Sequence, residues 1–170
     1  MDYDAALRLL ETYFGDNHIA RHCKATERKA VEIAEKIKAN GIEIDVKLVR
    51  TGALLHDIGR CKTHKIEHNY EGAKMLRELG FEKLARAVER HGANIFADIH
   101  HSEMTLEEKV IFIADKYTEE DRHVTLDERF KSVIERRRRH GKLEEIPQIE
   151  KAREVTERIE RDVRKLMGLD

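Results

Sequence analysis

The chain has 170 residues, 33 of them basic and 34 acidic, so its formal net charge at pH 7 is −1. Such an even balance argues against attachment to nucleic acid or to a membrane surface by bulk charge alone. No apolar run approaches the roughly 18 residues that a membrane span needs, and the two cysteines form no CxxC pair. We therefore expect a cytoplasmic protein, and its many Lys, Arg and Glu residues beside a single proline are typical of heat-adapted organisms.

The hydrophobic pattern is helical from one end of the chain to the other, because apolar residues recur at three- and four-residue steps. Asp45 is a predicted N-cap, and Thr105 with Glu108 forms a predicted capping box. Residues 60–68 and 91–103 are predicted as loops, and no pair of β-strands is expected. The fold class is therefore all-α. The predicted helices cover about 3–14, 19–40, 46–56, 69–79, 81–90, 105–117, 125–140 and 148–166.

Histidines give the first sign of chemistry, since six of the ten fall between positions 56 and 101. One apolar helix ends in His56 and Asp57, and a second apolar run leads directly into Asp115. Buried ionised carboxylates are costly unless positive charge pairs with them, and a metal ion supplies such charge. His22, on an apolar helix face, can complete a ligand set that suits Zn, Mn, Fe or Ni better than Ca. Taken singly, each residue is more often part of a packed core, so the hypothesis depends on their combination.

Five short motifs follow one another in a characteristic order. They are His22, Leu54-Leu55-His56-Asp57-Ile58-Gly59-Arg60, His68-Asn69-Tyr70-Glu71-Gly72-Ala73, His91 and Ile113-Ala114-Asp115. This order resembles the HD-domain superfamily of metal-dependent phosphohydrolases, in its HDIG-type branch, and the whole chain is most similar to small archaeal HDIG proteins of unassigned substrate. The resemblance implies a single domain over residues 1–170, with an HD helical bundle at about 18–122 and a helical extension at about 123–170.

The resemblance further implies one or two divalent transition-metal ions, drawn from Mn, Ni, Co, Zn and Fe. The family's first metal site is matched by His22, His56, Asp57 and Asp115. A further site is matched by His68 and His91, with Asp57 bridging the two ions. Gly92 stands where the relatives with the fullest ligand set have another histidine, and His100 or His101 is the alternative donor.

The expected reaction is hydrolysis of a phosphomonoester or phosphodiester in a nucleotide-like substrate by metal-activated water, whose pKa a bound cation lowers to about 7. Asp57 is expected to act both as a ligand and as the acceptor that orients the nucleophile. Arg60 and Arg122 are candidate clamps for a substrate phosphate, with solvent-facing salt bridges as the alternative. Three other functions remain open: a dinucleoside polyphosphate hydrolase, a di-iron HD-type oxygenase and a non-catalytic nucleotide-binding module.

The run from Glu135 to His140 contains four consecutive arginines, which point all round a helix instead of forming one stripe. We interpret it as a solvated helix end whose cations favour the helix dipole, with attraction of polyphosphates as the alternative. No stable complex with nucleic acid and no membrane partner is expected. The apolar stripe of the last helix is suited to core packing or to a homodimer contact.

Overall fold

The structure, a computed structural model, describes residues 1–65, 67–92 and 100–169. Within these ranges it is built of α-helices joined by short turns, which confirms the predicted all-α class. No helix in the described ranges is long and apolar enough to cross a membrane. The α-helices are α1 (Tyr3–Phe14), α2 (His18–Ala39), α3 (Val46–Leu55), α4 (His68–Glu78), α5 (Glu82–Glu89), α6 (Leu106–Lys116), α7 (Leu126–Arg139) and α8 (Ile146–Leu166).

A small antiparallel hairpin joins α6 to α7, and short 3₁₀ helices lie elsewhere in the connections. The strands are β1 (Thr118–Glu119) and β2 (Arg122–His123), with Glu120 at a positive φ of 54° in the turn. The expectation of no strand pair is wrong here, because two residues per strand are too few to show alternation. Of the predicted loop 91–103, residues 93–99 lie outside the described residues. The 3₁₀ helices are Ile58–Cys61, His101–Glu103 and Leu143–Glu145.

The two helices that end in predicted site residues begin at the predicted caps. The Asp45 side chain accepts a hydrogen bond from the backbone N–H of Leu48 at 3.0 Å, at the start of α3. The Thr105 hydroxyl accepts from the backbone N–H of Glu108, whose carboxylate accepts in turn from the backbone N–H of Thr105, at the start of α6. A cap of this kind stabilises a helix by about 0.5–2 kcal/mol. The caps therefore fix where α3 and α6 begin.

Buried side chains form two hydrophobic clusters that share the central helices α2 and α3. One cluster lies where these helices meet α6 and α8, and it includes Ile33 and Phe112. The other lies where they meet α1, α4 and α5, and it includes Leu10 and Leu55. Burying one side chain of this size stabilises the fold by about 1.5–3 kcal/mol. The two clusters together hold the helices whose ends carry the polar residues of the site.

Gly59 and Gly72 let the 3₁₀ turn after α3 lie directly against the start of α4. A Cβ atom on Gly59 would stand 1.9 Å from the backbone oxygen of His68 and 2.5 Å from the backbone nitrogen of Gly72. A Cβ atom on Gly72 would come no closer than 3.0 Å to its nearest neighbour. Only glycine fits at position 59 without moving the backbone. This close approach places His68 beside Asp57, which immediately precedes the turn.

We expect Gly59→Ala to destabilise the fold much more than Gly72→Ala. At position 59 the methyl group meets rigid backbone, so the cost should exceed the about 1–3 kcal/mol that is typical of overpacking. At position 72 the nearest atom, the backbone nitrogen of Gly59, stands at 3.0 Å, so a shift of only a few tenths of an ångström is needed. Since 1 kcal/mol corresponds to about 2–4 °C in Tm for a chain of this size, thermal unfolding distinguishes the variants. Equal losses of Tm would contradict the role given to Gly59.

Candidate metal centre

Six side chains that the sequence predicts as metal ligands converge at one place. They come from α2, the end of α3, the start of α4 and the ends of α5 and α6, so five separate helices contribute. All of them are buried except His22, which is half-buried. The six are His22, His56, Asp57, His68, His91 and Asp115.

One half of the centre is formed by His22, His56 and Asp115. The Nε2 atom of His22 lies 3.1 Å from Asp115 Oδ1 and 3.2 Å from His56 Nε2. His56 Nε2 lies 3.6 Å from the same Asp115 oxygen. These three atoms form a compact triangle that could hold one metal ion.

The other half is formed by Asp57, His68 and His91. Asp57 Oδ1 lies 2.9 Å from His68 Nε2 and 3.6 Å from His91 Nε2, and the two Nε2 atoms are 3.2 Å apart. Asp57 Oδ2 also lies 3.8 Å from His56 Nε2. The carboxylate of Asp57 therefore stands between the two halves, as a bridging ligand would.

Each of the four imidazoles is anchored through Nδ1 to a backbone carbonyl oxygen. His56, His68 and His91 bond to the oxygens of residues three positions earlier, at 2.7, 2.8 and 2.6 Å. His22 Nδ1 bonds instead to the oxygen of Glu120, 2.7 Å away in the turn of the hairpin. Because a carbonyl oxygen only accepts, Nδ1 of the neutral ring carries the proton and Nε2 presents a lone pair to the centre.

These lone pairs provide a test of whether a metal ion fits. In the neutral tautomers, Nε2 of His22 faces Nε2 of His56, and Nε2 of His68 faces Nε2 of His91, at 3.2 Å in each case. Two acceptors in contact are unfavourable unless a cation lies between them or one of the two rings is protonated. The spacing is close to the about 3.4 Å that separates donors bound about 2.1 Å from a tetrahedral ion. A nitrogen-rich set of this kind fits a divalent transition metal better than Ca or Mg.

Burial and charge oppose each other at the two carboxylates. Burial acts to raise the pKa of Asp57, but the surrounding imidazoles and the Arg60 guanidinium hold that pKa well below its usual value. Burial is outweighed in the same way at Asp115, where Lys116 and His22 hold the pKa well below its usual value. Both aspartates are therefore anionic at neutral pH, as metal ligands must be.

The imidazoles of the first half respond to burial differently. Burial lowers the pKa of His56 to about 3, although Asp57 and Asp115 act in the opposite direction. At His22 burial also acts to lower the pKa, but the hydrogen bond and charge of Asp115 outweigh it and the pKa is raised. His56 is therefore neutral at pH 7, which is the form that binds a metal ion.

The centre opens into a cavity of about 320 Å³, with Arg60 and Lys116 on its wall. Arg60 Nε lies 2.6 Å from Asp57 Oδ2, so this predicted phosphate clamp stands at the centre itself. Lys116 Nζ contacts Asp115 Oδ2 and lies 3.2 Å from the backbone oxygen of His91. Sequence reasoning misses Lys116, and its place directly after Asp115 is the one signal that could have found it.

Helix α7 and the 3₁₀ helix before α8 form the remaining charged wall of the cavity. Arg129, Arg137 and Glu145 line it together with Gln148, Ile149 and Ala152. The interpretation of the arginine run as a solvated helix end holds for Arg138 and Arg139, which are exposed. It does not describe Arg137, whose side chain lines the cavity. The apolar residues Leu126, Phe130 and Ile134 recur at four-residue steps, and Arg137 follows three residues later, so the helical spacing of the sequence already places Arg137 on the buried face of α7.

Other predicted positions lie away from the centre. Arg122 is exposed on β2 and does not line the cavity, so its role as a clamp stays a prediction. His100 caps the 3₁₀ helix that begins at His101, and its Nδ1 lies 2.7 Å from Ser102 Oγ. Neither histidine joins the described cluster. Cys23 is fully buried, and burial raises the pKa of its thiol well above the usual value, which suits a packed thiol.

We expect acid to destabilise the chain once its metal has been removed. The pKa of His56 is about 3 in the folded state and about 6.5 when unfolded, so stability is lost as the pH falls from about 6.5 towards 3. The lowered pKa values of Asp57 and Asp115 act in the same direction below about pH 5. The raised pKa of His22 acts oppositely, because its stabilising contribution is present in acid and lost as the pH rises.

The urea midpoint of the chelated protein, measured between pH 7 and pH 5, checks this expectation. The urea midpoint should decrease as the pH is lowered in the unmodified chain. It should decrease less steeply in His56→Asn. His140→Asn is the matched control, because His140 is exposed. An identical pH dependence in His56→Asn and the unmodified chain would show that the buried His56 is not the group responsible.

Comparison with known protein families agrees with this geometry. Residues 19–120 match the model of the HD domain, and all six converging residues fall inside that range. The chain therefore belongs to the HD domain family. The predicted bounds of the HD core, about residues 18–122, stay a prediction.

Relatives among curated proteins differ in length and name. The chain is 42% identical over 147 residues to an uncharacterized protein of Methanocaldococcus jannaschii, in a match covering 80% of this chain and 86% of that protein. It is 35% identical over 136 residues to tRNA (cytidine(56)-2'-O)-methyltransferase of Picrophilus torridus, covering 74% of this chain but 38% of that enzyme. It is 36% identical over 83 residues to Ribonuclease Y of Acidothermus cellulolyticus, covering 47% of this chain and 16% of that protein. No solved structure matches the chain.

Proposed function

We propose that the chain is a metal-dependent phosphohydrolase that cleaves a phosphomonoester or phosphodiester of a nucleotide-like substrate. The observation that carries this proposal is the position of Asp57, between two histidine-rich halves and on the wall of a cavity with cationic side chains. The cavity volume of about 320 Å³ lies within the range of about 300–1,000 Å³ for small-molecule sites. Membership of the HD domain family supports the same class of reaction.

The chain presents donors for one or two divalent transition-metal ions. When bound, such an ion neutralises charge on a phosphoryl oxygen and lowers the pKa of water to about 7. The protein's own contribution is orientation, since each imidazole is fixed through Nδ1 before any ion arrives. The expected ligands are His22, His56 and Asp115 on one side, His68 and His91 on the other, and Asp57 between them.

In this proposal Asp57 orients the attacking water, and two cations position the substrate. The Asp57 carboxylate is ionised at neutral pH because its pKa is held well below the usual value, so it accepts hydrogen bonds. Arg60 fixes one oxygen of this carboxylate, and its guanidinium carries further N–H donors suited to a phosphate. Lys116 compensates the charge of Asp115 and lines the same cavity.

Names of relatives favour a nucleotide-like substrate. One relative is named as a ribonuclease and another as a methyltransferase of tRNA, so both names refer to RNA. The chain spans 38% of the methyltransferase and 16% of the ribonuclease. The names of these relatives therefore support a nucleotide-like substrate. Which bond is cleaved is a question for experiment.

Asp57→Ala should lower metal-dependent hydrolysis by about 10²–10⁴-fold, because it removes both a ligand and the acceptor for the nucleophile. Assays with p-nitrophenyl phosphate and bis(p-nitrophenyl) phosphate, each with Mn, Co, Ni and Zn, measure the loss. Asp162→Ala is the control, since Asp162 is a half-exposed aspartate of α8 that pairs with Lys109 and does not line the cavity. Activity retained by Asp57→Ala, with helical content unchanged by circular dichroism, would contradict the assignment.

His91→Ala should lower the metal content by about one ion per chain, because it removes a ligand from the half that contains Asp57. Elemental analysis of protein purified without chelators gives this number, with exposed His140→Ala as the control. An unchanged metal count in His91→Ala would contradict a second ion. Iron as the bound metal, together with oxygen uptake instead of phosphate release, would favour the oxygenase over the hydrolase.

A further inference from the structure

Two arginines of α7 line the cavity although the metal centre does not use them. Arg129 and Arg137 are eight residues apart, a spacing that turns both towards the same side of a helix. Their side chains are 21% and 36% exposed, so both are partly withdrawn from water. Cations that are partly withdrawn from water are stabilised by anionic partners.

The anion that pairs with Arg137 belongs to the protein itself. Glu145 Oε2 lies 2.8 Å from Arg137 Nε, and Glu145 also lines the cavity. Both side chains are 36% exposed, and ion pairs at such exposure are weak. Arg129 is paired more loosely, with 3.6 Å between its Nη1 and Glu119 Oε1. A stronger anion that enters the cavity can therefore replace Glu145 beside Arg137.

Charge in the cavity is unevenly divided. Among the described lining residues, the two carboxylates of the metal centre are already matched by Arg60 and Lys116. On the α7 side Arg137 faces Glu145, whose other oxygen lies 3.3 Å from Lys142 Nζ. Arg129 pairs with Glu119, which does not line the cavity, so the lining itself holds one more cation than carboxylates. The cationic lining residues are Arg60, Lys116, Arg129 and Arg137, and the acidic ones are Asp57, Asp115 and Glu145.

We propose that Arg137 and Arg129 form a second phosphate position, and that the substrate carries two phosphate groups. One group lies at the metal centre, as the proposed function requires, and the other pairs with the arginines of α7. Glu145 holds Arg137 in place in the free protein and is displaced by the second phosphate. The planar guanidinium matches a phosphate through two parallel hydrogen bonds, which a half-exposed carboxylate of the protein competes with only weakly.

Calorimetric binding to the metal-loaded protein tests the proposal without relying on hydrolysis. The probes are orthophosphate and adenosine 5′-(α,β-methylene)diphosphate, whose bridging carbon prevents cleavage between its two phosphorus atoms. The unmodified chain should bind the diphosphate analogue at least about tenfold more tightly than orthophosphate, because a second charge-assisted contact is made. Chelation of metal by the probe is the same for every variant and cancels in their comparison.

Three variants distinguish the second phosphate position from general electrostatics. Arg137→Ala should weaken binding of the analogue by about tenfold. Arg139→Ala removes the same charge from the same run at an exposed position, and screening by salt should hold its effect below about twofold. Glu145→Gln should tighten binding several-fold, since it removes the competing carboxylate. A gain in affinity cannot result from misfolding.

Equal weakening in Arg137→Ala and Arg139→Ala, or no gain in Glu145→Gln, would overturn the second phosphate position. Failure of the second phosphate position can be distinguished from failure of the proposed function. Binding that depends on Arg137 in a chain that hydrolyses no phosphoester would refute the hydrolase and keep the second position. Hydrolysis combined with analogue binding that does not depend on Arg137 would refute the second phosphate position and keep the hydrolase.

Discussion

A carboxylate that is almost wholly buried stays ionised only where cationic or hydrogen-bonding groups surround it. Asp57 is 5% exposed, and His68 and Arg60 contact its two oxygens at 2.9 and 2.6 Å. These contacts exist because Gly59 lets the turn after α3 lie against the start of α4. The hydrophobic clusters on either side hold both helices in this position. Packing, the glycine contact and the charges around Asp57 thus all serve to keep this buried carboxylate ionised.

The centre and the cavity wall come from different parts of the chain. The range that matches the HD domain ends at residue 120 and contains all six converging side chains. Beyond it, α7 and the segment before α8 contribute Arg129, Arg137 and Glu145 to the same cavity. Under the proposals made above, the family segment supplies the hydrolytic chemistry and the helical extension selects the substrate. Relatives that share the centre but differ in the extension would then act on different phosphates.

Sequence patterns were sufficient for what depends on local periodicity and on motif order. Helix positions, the Asp45 and Thr105 caps and the convergence of His22, His56 and Asp115 all agree with the structure. The features that were missed depend on tertiary contacts. Two-residue strands leave no alternating pattern. The apolar spacing of Leu126, Phe130 and Ile134 places Arg137 on the inner face of α7, but only tertiary contacts show that this position lies at the cavity.

The anchoring of the histidines also bears on the order in which the centre assembles. Three Nδ1 bonds reach back only three residues, so each forms as soon as its helix end does. The bond of His22 to the Glu120 oxygen joins residues 98 positions apart. Closing a loop of that length costs about 4 kcal/mol of chain entropy, and an ion shared by His22 and Asp115 would offset part of that cost. The metal ion would then join the two ends of the family segment. During synthesis this link could form only once Asp115 is present, and His22 would be oriented for it only once Glu120 is present.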